Sequence, residues 1–416
     1  MKTKKIIALS LVLIMAFAML AACNKDEQPA APPAQPSQPA AQPSAQPSAQ
    51  PSAPPSAQPP AQSSTPPGQA PEPGAPPPEG PKGTVGFYTD DVNHSARGSY
   101  HFIYFNYRPA NIIYQVLDSL ELLGQKYNFT VEQLTAEGDA DRYISDLQTI
   151  LLRNPDGLVI DITMELSSRV SEILRDNDTP AVCIFNKPID ANGSNLVPAL
   201  VLDQIQNGIT QLEFLDGVYK EYWGDIDRSK INLLIMDWSA NLDLAARGDG
   251  ALQAFERLYP GNTHFYGDTS HDTISAEVGF SVATSILSAN PNVEYWFIVS
   301  TVEDVALGVG RAVEALNMTT DKVLATSSGA AILPGEWEAG YDGVWIANYS
   351  APPVLYAAYA AFALIAMADG RATMDDLWSD QKGPNDMSTC LVLPAEMMTL
   401  KNFSSYISDI AARFGI

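Results

Sequence analysis

Asn154-Pro155-Asp156-Gly157-Leu158-Val159-Ile160-Asp161-Ile162 and, after an amphipathic stretch from Glu165 to Arg175, Thr179-Pro180-Ala181-Val182-Cys183-Ile184-Phe185 set the reading of this chain. Each apolar run is short, continuous and introduced by helix-ending punctuation, Asn-Pro-Asp-Gly in one case and Thr-Pro in the other. A strand that is apolar at consecutive positions is covered on both faces, which is the state of a parallel sheet built from right-handed crossovers. The same alternation extends outward. Upstream, the pattern predicts a strand over Thr84–Tyr88, a helix over Pro109–Lys126, a strand over Phe129–Leu134 and a helix over Asp139–Arg153.

A second series follows Asp203. Helices are expected over Ile205–Trp223, Asp243–Leu258, Ser275–Leu287 and Val305–Leu316, and strands over Ile231–Met236, His264–Tyr266, Tyr295–Val299, Lys322–Thr326 and Val344–Ala347. Pro353–Met367 is a small-residue-rich helix suited to close packing, and the tail from Leu400 to Phe414 is helix-like. Two doubly wound units in series make an α/β protein of two lobes. Ligands of such sheets bind beyond the carboxyl ends of the strands, so the expected site is the cleft between the lobes.

The first residues read differently. Lys2, Lys4 and Lys5 precede an apolar run from Ile6 to Leu20, too short to span a bilayer, and small residues lead to Cys23: the pattern of a secretory signal peptide. Leu20-Ala21-Ala22-Cys23 resembles the lipobox of bacterial lipoproteins, which implies cleavage before Cys23, acylation of its thiol and an extracytoplasmic protein anchored to the cell membrane by lipid. From Gln28 to about Pro81 the chain is almost entirely Pro, Ala, Gln, Ser and Gly, with nothing to bury; it reads as a disordered, semi-stiff stalk.

A formal net charge of −24 argues against a nucleic-acid partner, which needs clustered Lys and Arg. Beyond Cys23, the cysteines are Cys183 and Cys390; a disulfide between them and separate thiols, Cys183 being in an apolar strand, are both open. Enzymatic chemistry finds no motif: there is no Gly-x-Ser-x-Gly elbow, no His-Glu-x-x-His and no phosphate-binding loop, and the chain has four histidines. His94, His101, Asp90 and Asp91 lie close in sequence but without metal-ligand spacing, and no cofactor is expected.

The order of elements resembles the type I periplasmic binding proteins, the ribose-binding-like group that serves ABC sugar importers. The stretches that carry it are Pro155 to Ile160, Thr179 to Lys187, Ala246-Arg247-Gly248-Asp249-Gly250, Ala306-Leu307-Gly308 and Val344-Trp345-Ile346-Ala347-Asn348-Tyr349. The resemblance covers Gly83 to about Leu393. It implies a three-crossover hinge, with an N-terminal lobe of 83–203 plus about 348–378, a C-terminal lobe of 204–347 plus about 388–393, and a helical tail over 394–416.

It also implies a site for a small polar ligand, a sugar above all. Asn186 and Lys187 end a strand where the group has an acid followed by Arg; the change keeps polarity and loses the bidentate fork. Arg247 stands at the group's Arg before a Gly-rich helical segment, where a guanidinium can span adjacent hydroxyls. Asn348 matches an amide that would reach the cleft from the hinge. Asp237 and Trp238 end another strand and offer an acceptor and a stacking face, a core Trp being the alternative. Val302 and Ser328 replace the group's Asn and Asp acceptors, with Glu303 and Asp304 adjacent. Between Tyr88 and Pro109 the spacing predicts a long aromatic loop in which Asp90, Tyr104, Phe105 and Tyr107 cap the cleft or form a satellite core.

The expected partners are that ligand, an ABC transporter permease and, through Cys23, the membrane; the chain is expected to act as a monomer. A sensory role with a receptor or histidine kinase and a nucleoside ligand are the alternatives. A repressor of the same lobe architecture is excluded by the export signal and the lack of a helix-turn-helix head.

Overall fold

The structure, a computed structural model, describes residues 94–96, 98–177, 179–271, 274–378 and 388–416. The segment read as a signal peptide, Cys23, the Pro-rich stretch, the strand expected over Thr84–Tyr88 and Asp90 lie outside the described residues.

The first sheet is built from β1 (Tyr100–Asn106), β2 (Phe129–Thr135), β3 (Gly157–Ile160), β4 (Ala181–Phe185) and β5 (Ala199–Val201), joined by helices α1 (Asn111–Tyr127), α2 (Ala140–Leu152) and α3 (Met164–Arg175). Its central strands are buried on both faces, Val159, Ile160, Val182 and Ile184 being wholly inaccessible. The second sheet takes β6 (Ile231–Asp237), β7 (His264–Asp268), β8 (Tyr295–Ser300), β9 (Val323–Ser328) and β10 (Trp345–Ser350). Helices α4 (Gln204–Trp223), α5 (Leu242–Leu258), α6 (Ala276–Ala289), α7 (Glu303–Ala315) and the short α8 (Leu333–Glu338) accompany it. Side chains cap several helix starts where the orphan N–H groups need partners: Asp139 accepts from the Arg142 amide, Asp203 from Gln206, and Asn241 from Asp243 and Leu244.

With β11 (Cys390–Val392) and β12 (Glu396–Thr399), each sheet has six strands among the described residues, in the orders β11-β5-β4-β3-β1-β2 and β12-β10-β9-β8-β6-β7. Pairing is parallel throughout except for the edge strand β12 (Glu396–Thr399), which runs antiparallel to β10. From β10 the chain returns to the first lobe as α9 (Pro353–Ala368), whose apolar face goes all round because it packs on α1 and on β3, β4 and β5. The last helix, α10 (Phe403–Arg413), reaches both lobes: Phe403 meets Trp337 of the second, and Phe414 meets Tyr359 and Phe362 of α9.

Two expectations are corrected. The stretch foreseen as an aromatic loop contains β1, and Tyr104 and Phe105 are core residues at 0% exposure. Consecutive aromatics there serve the two faces of one strand: Phe102 and Tyr104 join the cluster beneath α1 and α9, Ile103 and Phe105 the cluster on the other side. Tyr107 follows at the strand end, its hydroxyl donating to the Gly138 carbonyl at 2.6 Å. The strand around Cys390, assigned above to the C-terminal lobe, is β11 (Cys390–Val392) of the first sheet, with Leu391 opposite Leu200. The third crossing therefore falls between β11 and β12. Cys183 and Cys390 both sit opposite Ala199, one on each side of β5, and no disulfide joins them. Two strand spacings, roughly 9.5 Å, exceed what a disulfide can bridge.

Candidate functional site

The carboxyl ends of the two sheets face each other across a cavity of about 250 Å³. From the first lobe Asn111, Phe185 and Asn186 contribute to its wall; from the crossovers, Gln204, Tyr349 and Tyr356. The second lobe supplies Asn241, Asp243, Arg247, Glu303, Asp304 and Ser328.

Arg247 is placed by a tight helix crossing. A Cβ on Gly208 of α4 would lie 1.8 Å from the Arg247 carbonyl oxygen, and one on Gly250 of α5 would lie 2.0 Å from that of Ile205. Only glycine lets the two backbones approach so closely. The guanidinium is then held from two sides, Nε donating to Gln204 Oε1 at 2.7 Å and Nη1 to the Thr301 carbonyl at 2.5 Å. Nη2 has no partner among the described residues. Burial lowers the Arg247 pKa to about 10, so the group remains a cation at neutral pH. Asp243, one turn before it, is raised by burial and drawn back by the Arg247 charge; Asp304 is raised by burial.

Asn186 follows an uncommon turn. Its amide donates to the Ile184 carbonyl at 2.9 Å while Phe185 between them has φ 71°, a γ-turn in the left-handed region that a bulky side chain rarely enters. The turn lays the Phe185 ring against Tyr356, centroids 4.6 Å apart, and the Asn186 amide group donates to the Ile162 carbonyl at 2.5 Å.

Glu303 opens α7 at the cavity wall and is enclosed by donors. Its carboxylate accepts from the amides of Ala331 at 2.8 Å, Ile332 at 3.2 Å and Leu333 at 3.3 Å, and from Asn348 Nδ2 at 2.6 Å. Burial pushes its pKa up to about 7 against the pull of those three amides.

Of the residues singled out in the sequence, Asn186, Arg247, Asp304 and Ser328 meet at the cavity. Asn348 does not: it is wholly buried, with its oxygen taken by Trp345 Nε1 at 2.8 Å and Ser327 Oγ at 2.5 Å and its amino group by Glu303. Asp237 and Trp238 are buried at the end of β6, the carboxylate accepting from the Trp238 amide at 2.8 Å, and neither lines the cavity; nor does Lys187. Tyr104, Phe105 and Tyr107 are absent from its wall. Asn241, Asp243, Tyr349 and Tyr356 were not anticipated. The first two had a signal, since Asn241-x-Asp243-x-x-x-Arg247 puts a helix cap, a carboxylate and a cation around one helix start; Tyr356 lies in an all-apolar helix and reads as core. No group of His, Cys, Asp or Glu among the described residues could hold a metal ion. Nor is any described helix long and apolar enough to cross a membrane.

Comparison with known proteins follows the same architecture. The chain is 25% identical over 210 residues to the ABC transporter L-arabinose-binding periplasmic protein of Azospirillum brasilense, an alignment covering 49% of this chain and 60% of that one. A sugar-binding protein of a Bacillus halodurans sugar ABC transporter superposes with a TM-score of 0.59 at 17% identity, over 74% of this chain and 99% of that one. A periplasmic solute-binding protein from Actinobacillus succinogenes with bound D-allose gives 0.59 at 14% identity, over 74% and 100%. These likenesses establish the type I, two-lobed fold. Residues 103–372, spanning β1 to the end of α9 and every described wall of the cavity, match the periplasmic binding protein domain, and the chain belongs to that family.

Proposed function

We propose that the chain captures a single monosaccharide-sized sugar between its lobes, outside the cytoplasm, and delivers it to an ABC importer. The observation that carries this reading is the composition of the cavity wall. Arg247 offers an N–H with no protein partner, Asp243 and Asp304 offer acceptors, Asn111, Asn186 and Asn241 offer amides, and Phe185, Tyr349 and Tyr356 offer ring surface. Vicinal hydroxyls need planar donors and acceptors, and the apolar face of a sugar ring needs an aromatic one. At about 250 Å³ the cavity lies below the roughly 300–1,000 Å³ of sites for drug-sized ligands, which favours one ring over an oligosaccharide. The relatives support the sugar class and the importer: one is an L-arabinose-binding protein and another holds D-allose, both of ABC transporters.

Thermal shift against L-arabinose, D-allose, myo-inositol and adenosine tests the class. Ligand at about 100 times its dissociation constant adds roughly 2.7 kcal/mol, which moves the midpoint by several degrees. A shift with sugars alone is expected; one confined to adenosine replaces the sugar with a nucleoside. Lipid anchoring belongs to the same proposal and rests on Leu20-Ala21-Ala22-Cys23. Metabolic labelling with palmitate is expected in the exporting cell and lost in Cys23→Ser; label that survives the substitution removes Cys23 as the anchor.

A further inference from the structure

One contact crosses the cleft at the rim of the cavity. Gln115, on α1 of the first lobe, donates through Nε2 to the carbonyl of Ala331 in the second lobe at 3.1 Å. Ala331 belongs to the turn between β9 and α8, and it lines the cavity. The turn that carries this carbonyl is tied to the body of the second lobe. The Glu303 carboxylate holds three successive amides of it, those of Ala331, Ile332 and Leu333. At its root Gly329 has φ 145°, and a Cβ there would lie 2.3 Å from Glu303 Cγ. Behind Glu303 stands Asn348, itself fixed by Trp345 and Ser327. A chain of hydrogen bonds therefore runs from β10 through a buried carboxylate to one carbonyl presented to the opposite lobe.

We propose that Gln115 and Ala331 form an interlobe latch, with Glu303 its positioning residue, that favours the closed lobes before any ligand is bound. The proposal rests on the reading of the cleft as a capture site, yet it concerns a contact made between protein groups alone. Rotation about the crossovers breaks the Gln115 bond and leaves the Glu303 bonds intact, because the latter all lie within the second lobe. A net hydrogen bond of about 1 kcal/mol corresponds to roughly a fivefold change in the ratio of closed to open forms. By up to the same factor, reached where the open form predominates, the latch raises the apparent affinity of any ligand that binds the closed form.

The test is single-molecule energy transfer in the full chain, without ligand, between dyes placed by non-cysteine chemistry at exposed Leu152 of the first lobe and Tyr222 of the second. Gln115→Ala is expected to lower the ratio of closed to open forms about fivefold with little change in thermal midpoint. Gln115→Glu, which sets a carboxylate against the Ala331 carbonyl, is expected to lower it at least as far. Glu303→Gln should lower the closed population in the parent chain and have no further effect on it in the Gln115→Ala background; a merely structural Glu303 would depress the midpoint equally in both and leave the populations alone. An unchanged distance distribution in both Gln115 variants overturns the latch. Titration with L-arabinose and D-allose is run beside it. Failure of both sugars to bind weakens the sugar reading and leaves the ligand-free distributions to judge the latch.

Discussion

Phe185 shows how one residue serves the site at a local cost. Its φ of 71° is a conformation that costs a side-chain-bearing residue about 1–2 kcal/mol, and its ring faces the cavity beside Tyr356. Replacing it separates the two contributions. Phe185→Ala and Phe185→Gly both remove the ring, but only glycine removes the backbone strain, so the glycine variant is expected to be more stable by about 1 kcal/mol, a few degrees in midpoint. Equal midpoints would show that the turn relaxes on substitution. Asp161 offers a second residue-scale test. Its carboxylate accepts from the Tyr107 amide at 2.6 Å, and burial raises its pKa from 3.8 to about 7. The folded state thus holds the proton more tightly than the unfolded chain, and the stability it contributes is complete below about pH 4 and lost as pH rises through 7. Asp161→Asn keeps an acceptor for Tyr107 and has no charge to bury, so its midpoint relative to the parent chain is expected to be several degrees higher at pH 8 than at pH 4. A difference independent of pH would show that folding leaves the Asp161 pKa unchanged. At this scale the place of Arg247 and Asn186 on the cavity wall was legible from their positions in the first turns of a helix and at a strand end, whereas the direction of a side chain set by buried neighbours was not. Asn348 turns inward because Glu303, Ser327 and Trp345 satisfy it there, a network assembled from separate strands.

Among the elements, the α4–α5 pair has the most direct bearing on the site. Gly208 and Gly250 allow backbone-to-backbone contact and thereby bring Gln204 and Arg247 together at the cavity. A methyl group at Gly208 meets the Arg247 carbonyl at 1.8 Å and the Ala251 nitrogen at 2.6 Å, and neither can step aside as a side-chain tip would. Gly208→Ala is expected to cost about 3 kcal/mol, read as a lowered denaturant midpoint, and to weaken sugar binding as Arg247 shifts. Retained stability would mean that the helices separate freely. Most elements were readable from apolar runs between Pro, Gly and Asn punctuation. The exceptions are instructive. The β1 stretch is a nearly unbroken run of aromatic residues without the period-two pattern of a half-buried strand, and it becomes a strand because the sheet has room for large rings on both faces. β11 and β5 have three residues each, too few to declare a partner, so their pairing is decided by tertiary packing alone.

For the whole molecule, two doubly wound lobes and the cleft between them follow from the order of strands and helices, which is why the architecture was legible before any contact was known. What the order of elements left undetermined was the route of the last crossing and the reach of the C-terminal helix. That helix closes on both lobes: Tyr406 donates to the Ser350 carbonyl at 2.9 Å in the second, and the Phe414 carbonyl accepts from Tyr127 at 2.9 Å in the first. Such long-range pairings leave no local periodicity.

The proposed function requires that the cavity around Arg247 hold the sugar. Calorimetric titration of the parent chain and of Arg247→Ala with L-arabinose and D-allose tests it most directly. Saturable one-to-one binding of at least one of them by the parent chain, weakened more than tenfold by the substitution, is the result expected, since hydrogen bonds to a charged donor contribute about 1.5–3 kcal/mol. Binding of unchanged affinity in the variant, or none of either sugar in the parent chain, would contradict it.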